Sequence, residues 1–158
     1  MKYATAFVLT AFFAAAAGAQ TTEEAGVEAA MEVVPMDEVE VNLNDFLWTK
    51  RPVVVFADTD ADPRFQRQME LLSERLPELE ARDVVILTDT DPSSLSPLRK
   101  KLRPRGFMLV LIGKDGGVKL RKPFPWDVRE ISRSIDKMPL RLQELRDQRA
   151  AQDAELND

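Results

Sequence analysis

Cysteine and histidine are both missing from the 158-residue chain. Without cysteine there can be no disulfide, no thiol nucleophile and no iron–sulfur cluster. Without histidine no side chain has an ordinary pKa near neutrality, and a serine triad lacks its imidazole base. A zinc site made only of carboxylates suits poorly a metal that prefers nitrogen and sulfur. Tyrosine occurs once, as Tyr3. Catalysis would therefore have to rest on carboxylates, lysines or a hard metal ion, and neither a cofactor nor a resident metal is expected.

What is present begins with MKYATAFVLTAFFAAAAGA: a cation at Lys2, an apolar run from Ala4 to Ala17, and the small residues Ala17, Gly18 and Ala19 before Gln20. This pattern predicts a secretory signal peptide over residues 1–19, cleaved after Ala19. The apolar run is shorter than the roughly 20 residues needed to span a bilayer and is mostly alanine. The mature chain is thus expected in the periplasm or secreted, without stable membrane insertion. Residues 20–38 are acidic and poor in aromatics, and read as a flexible segment. One domain is expected over residues 39–140, followed by a charged tail over 141–158.

Formal charge is −5, but its distribution is uneven. Residues 20–62 hold eleven acids against Lys50 and Arg51, whereas residues 99–122 hold nine bases against Asp115 alone. These are either complementary solvated faces or a basic patch for an anionic ligand. Nucleic acid is not an expected partner, because the chain is acidic overall and interleaves few aromatics with its bases.

VEVNL (39–43) alternates as a short edge strand does, and NDFLWT follows as a helical turn turning Phe46, Leu47 and Trp48 inward. VVVFA (53–57) is a continuous β-branched and aromatic run, expected of a strand buried on both faces. Asp62-Pro63 then caps a helix striped by Phe65, Met69, Leu72 and Leu76 and closed by Pro77. DVVILT (83–88) repeats the strand, Asp91-Pro92 repeats the cap, and Leu95, Leu98 and Leu102 line the next helix. Such βα units force parallel pairing by right-handed crossover. GFMLVLI, the turn GKDGG and VKLR predict an antiparallel hairpin. Asp127 caps a last helix carrying Val128, Ile131, Ile135 and Met138, which Pro139 stops, and the remaining residues fray into a solvated or partly helical tail. Trp126 reads as a core lid on that helix rather than an exposed docking aromatic.

This order, β-α-β-α-β-β-α, resembles the thioredoxin-like fold, a three-layer α/β/α sandwich with a mixed sheet. More narrowly, PVVVFADTDADPRF, VVILTD and RGFMLVLIGKDGGVKLRKPFPWDVREISRSID resemble the bacterial members of the DUDES-type domain of unknown function, also found in animal extracellular-matrix proteins. RGFMLVLIGKDGGVKLR further resembles the hairpin of peroxiredoxins whose arginine neighbours the peroxidatic thiol, a match that carries over only Arg105. The resemblance places that thiol in the loop after VVVFA, where this chain has DTDAD. No carboxylate replaces sulfur in thiolate chemistry, and Pro104 is one residue too early for the cis-proline of thioredoxins. A redox-silent version of the scaffold is implied.

Ligands of parallel sheets bind beyond the carboxyl ends of the strands. There the candidates are Asp58, Asp60, Asp62 and Asp89, with Arg103 and Arg105 approaching from RKKLRPR. Each has a structural role open to it: Asp62 as a cap, Asp58 and Asp60 as loop residues, the cations as complements to a helix dipole. Converging, the carboxylates would suit Ca²⁺ or Mg²⁺. The leading reading is a monomeric binding or adaptor module for a protein or a small anionic ligand, with no catalytic residue. The alternative is a Mg²⁺-dependent phosphohydrolase of haloacid-dehalogenase type, with Asp58 as nucleophile and Asp60 as general acid. Against it, the later acidic pair of that family is missing, since Asp115 falls in the hairpin turn.

Overall fold

The computed structural model describes residues 33–35 and 41–156. The expected signal peptide and most of the segment over 20–38 lie outside the described residues. Five strands, β1 (Val33–Pro35), β2 (Arg51–Phe56), β3 (Val84–Asp89), β4 (Met108–Ile112) and β5 (Val118–Lys122), form one sheet in the order β1-β3-β2-β4-β5. β3 pairs parallel with both β1 and β2, while β4 is antiparallel to β2 and to β5. The sheet is mixed, as expected, because the chain crosses over a helix between β2 and β3 but turns back directly between β4 and β5.

β2 and β3 are buried along their whole length, and their alternation divides the core into two layers. Val53, Val55, Ile86, Leu109 and Leu111 pack on one side against Leu72 of α1 (Pro63–Ser73), Leu79 of α2 (Leu76–Glu80), and Ile131 and Ile135 of α4 (Val128–Asp136). Val54, Phe56, Leu87, Val110 and Ile112 face Leu98 and Leu102 of α3 (Pro97–Leu102), with Phe46 of a 3₁₀ turn (Leu43–Phe46) completing the layer. Each fully buried aliphatic side chain contributes about 1.5–3 kcal/mol through removal from water. Three layers, α/β/α, result.

Several element boundaries differ from the sequence expectation, and proline explains three of them. Pro77 does not close the first helix: α1 ends at Ser73 and Pro77 lies in the first turn of α2. Asp91-Pro92 caps only a 3₁₀ turn (Pro92–Ser94), and α3 begins after Ser96, whose Oγ accepts from the Arg99 N–H. Leu95 is therefore outside the helix, 59% exposed. Pro139 opens α5 (Pro139–Leu156) where a fraying tail was expected. In all three cases the missing N–H falls among the first helical positions, where it has no intrahelical partner to lose.

The edge strand expected over 39–43 is absent at Val41 and Asn42. The edge beside β3 is taken by Val33–Pro35, inside the stretch read as flexible. Trp48 does not turn inward: it is 68% exposed. Trp126 does pack on the core, pinned by Gln68, which donates to its carbonyl at 3.1 Å and accepts its N–H at 2.7 Å.

Candidate functional site

β2 and β3 end together, with Phe56 paired to Asp89, and β4 starts beside them, with Met108 paired to Phe56. The β2–α1, β3–α3 and α3–β4 loops therefore gather at one end of the sheet. Asp58 follows Ala57 at this end and is exposed, as is Asp60. Among the described residues neither forms an ion pair or a side-chain hydrogen bond. The α3–β4 loop runs close: a Cβ on Gly106 would lie 3.7 Å from Asp58 Oδ2 and 3.9 Å from an Arg64 guanidinium nitrogen.

Asp62 has a different task. Its Oδ1 accepts the Arg64 N–H at 2.8 Å as the cap of α1, and its Oδ2 meets the Arg64 guanidinium at 2.8 Å. The Arg64 side chain, bonded to it, holds the Asp62 carboxyl below the usual aspartate range. Arg64 also lies over the Phe107 ring, 5.7 Å from its centroid.

Asp89 is withdrawn from the surface of the sheet end, being 2% exposed. It accepts from Ser96 Oγ at 2.6 Å and from Arg99 Nε at 2.7 Å. The same guanidinium donates to the carbonyls of Ala57 at 2.5 Å and Asp89 at 3.1 Å, tying the ends of β2 and β3 together. Burial excludes Asp89 as a contact residue, because its oxygens already have partners and water does not reach them. Asp91 is spent as well, capping the 3₁₀ turn through Ser93, whose hydroxyl holds its carboxyl low.

The six candidates thus separate. Asp58, Asp60, Arg103 and Arg105 are exposed at the sheet end, with Arg103 in a left-handed conformation at φ +50°, whereas Asp62 and Asp89 are structural. Among the described residues no three acidic side chains come together as a metal site. Asp115 lies at the far end of the sheet in the β4–β5 turn, bound to Lys119 at 2.6 Å, so it cannot complete a Mg²⁺ site with Asp58 and Asp60.

Two participants escaped the sequence reading. Arg99 was one base of a run of nine, and only its place one turn inside α3 turns it toward Asp89. Lys122 rests 4.5 Å from the Trp126 ring centroid and 5.9 Å from that of Phe124, which is 52% exposed. The available signal was the alternation of cation and aromatic in RKPFPW.

The fold is that of a thioredoxin-like domain, here without a cysteine. Solved structures agree on the fold. A chloroplastic thioredoxin z is similar at TM-score 0.50 and 21% identity, over 68% of this chain and 96% of that one. The reduced 2-Cys peroxiredoxin of Plasmodium vivax is similar at TM-score 0.51 and 18% identity, over 61% and 81%. Residues 42–144 match a family described as a domain of unknown function, DUF4174, and the chain belongs to that family.

Proposed function

We propose that this chain is an exported, redox-silent thioredoxin-like module that binds another molecule at the sheet end carrying Asp58, Asp60, Arg103 and Arg105. The observation supporting it most is the state of the loop after β2. Where the resemblance puts a reactive thiol, Asp58 and Asp60 stand exposed, while the neighbouring acids are consumed in holding the scaffold. Exposed carboxylates and exposed guanidinium groups in loops at one end of the sheet suit a ligand that pairs with both signs, such as a polar protein segment. The cation, apolar run and small residues of positions 1–19, read as a secretory leader, support export, with Gln20 as the mature N-terminus. No helix among the described residues is long and apolar enough to cross a membrane.

The test compares wild type with an Asp58→Asn, Asp60→Asn, Arg105→Ala variant. A partner crosslinked by the wild type and lost by the variant supports the reading, provided insulin-disulfide and peroxide reduction stay at the blank rate. Hydrolysis of a generic phosphomonoester with Mg²⁺, abolished by Asp58→Asn alone, overturns it in favour of a phosphohydrolase.

A further inference from the structure

At the opposite end of the sheet, where β2 begins and the β4–β5 turn meets the start of α5, lies a cavity of about 340 Å³. That is within the range of roughly 300–1,000 Å³ typical of small-molecule sites. Met138, Pro139 and Leu140 give it apolar surface, and Arg51, Lys114 and Lys119 give it positive charge. Its one acidic lining residue, Asp115, is already bound to Lys119.

Trp48, which also lines the cavity, is held at φ +64°. A tight turn sets this angle: Leu47 is at φ −56°, ψ 131°, and the Thr49 and Lys50 N–H groups donate to the Phe46 carbonyl at 3.2 and 3.0 Å, which leaves the indole 68% exposed beside the cavity. The Trp48 backbone N–H donates to the Lys114 carbonyl at 2.8 Å, which fixes the residue against the β4–β5 turn. Arg51 supplies an independent sign. It is 1% exposed, and its terminal nitrogens serve the Arg82 carbonyl and the Glu144 carboxylate, yet its Nε–H is buried without a partner. Lys114 likewise uses Asp83 and Glu144, so the acids behind the cavity are committed. An exposed aromatic plate, an apolar wall and three cations converge on one space; each cation has a carboxylate partner, and Lys119, paired only with the half-exposed Asp115, is the one open to an incoming anion.

We propose that this cavity binds a small amphipathic organic acid. Its aromatic or alkyl body would lie against Trp48, Met138 and Leu140, and its anionic group would meet Lys119 in competition with Asp115, with the buried Arg51 and Lys114 behind it. The site is separate from the Asp58 face and does not depend on what binds there.

The full chain is titrated with 8-anilinonaphthalene-1-sulfonate and, in parallel, with N-phenyl-1-naphthylamine, which has the same rings without the sulfonate. The expected result is saturable one-to-one binding of the sulfonate, about tenfold or more tighter than the neutral compound, and weakened about tenfold or more by Trp48→Gly and by Lys119→Glu. Glycine suits the positive φ at position 48, so Trp48→Gly keeps its melting temperature and separates lost binding from lost fold. Trp126→Phe leaves the affinity unchanged. Sulfonate affinity untouched by both cavity variants, equal affinity for the neutral compound, or no saturable binding overturns the proposal.

Discussion

Asp89 and Asp60 both follow apolar strands, and their substitution has opposite weight. Asp89 lies against Arg99 with both side chains under a tenth exposed. Removing its charge leaves the guanidinium buried without a countercharge, a loss of about 3–5 kcal/mol when one partner of a buried pair goes. Asp89→Asn keeps an acceptor oxygen and should fall near the low end of that range. Asp60→Asn, at an exposed position, should stay within about 0.5 kcal/mol. Urea denaturation of the two variants checks this difference. Gly106 is a third test: at φ +59° an alanine finds space but adopts a left-handed backbone, at about 1–2 kcal/mol.

Among the elements, α5 carries the clearest dependence on charge. Glu144 receives two hydrogen bonds of 2.9 Å from Arg51 and an ion pair of 2.9 Å from Lys114, with Arg141 at 3.3 Å. Arg141 also donates to the Ala81 carbonyl at 2.8 Å, so one turn of α5 is tied to the sheet and to the end of α2. Burial works to raise the Glu144 pKa, but the bonds from Lys114 and Arg51 outweigh it and hold the carboxyl below its ordinary 4.5. A pKa lowered on folding means stability that is complete above the unfolded value and is lost as pH falls through the folded one. The protection of α5 amides, measured against the intrinsic exchange rate at each pH, should therefore fall below about pH 4.5. Glu144→Gln should show the lower protection already at neutral pH, with little further response to acid.

The whole molecule should inherit this shape. Asp62, Asp91 and Asp115 are also held below their ordinary range, chiefly by hydrogen bonds from Arg64, Ser93 and Lys119. All four carboxylates lose stabilising partners in acid. With no histidine in the chain, no side chain of ordinary pKa titrates from about pH 6 to 8, which leaves only the α-amino group. The urea midpoint should be flat across that interval and fall steadily below about pH 4.5. A midpoint that slopes through neutrality would reveal a lysine or carboxylate shifted far from its usual value.

The elements that form the core were legible because burial on both faces of a strand or one face of a helix demands a repeating apolar pattern, as VVVFA, VVILT and Val128-Ile131-Ile135 show. Helix ends were less so: Asp-Pro marks a start, but one turn of 3₁₀ at Pro92 and the eleven residues of α1 at Pro63 begin with the same chemistry, and packing decides which continues. The absence of thiol and imidazole, and the reactions this forbids, needed no coordinates at all. Which aspartates are free did. Asp89 ends β3 and Asp58 lies two residues past the end of neighbouring β2, each after an apolar run, and only the return of α3 over the sheet brings Arg99 onto the first while the second stays in water. The cavity beside Trp48 belongs wholly to the tertiary structure, because its walls come from segments about ninety residues apart that meet only when α5 docks.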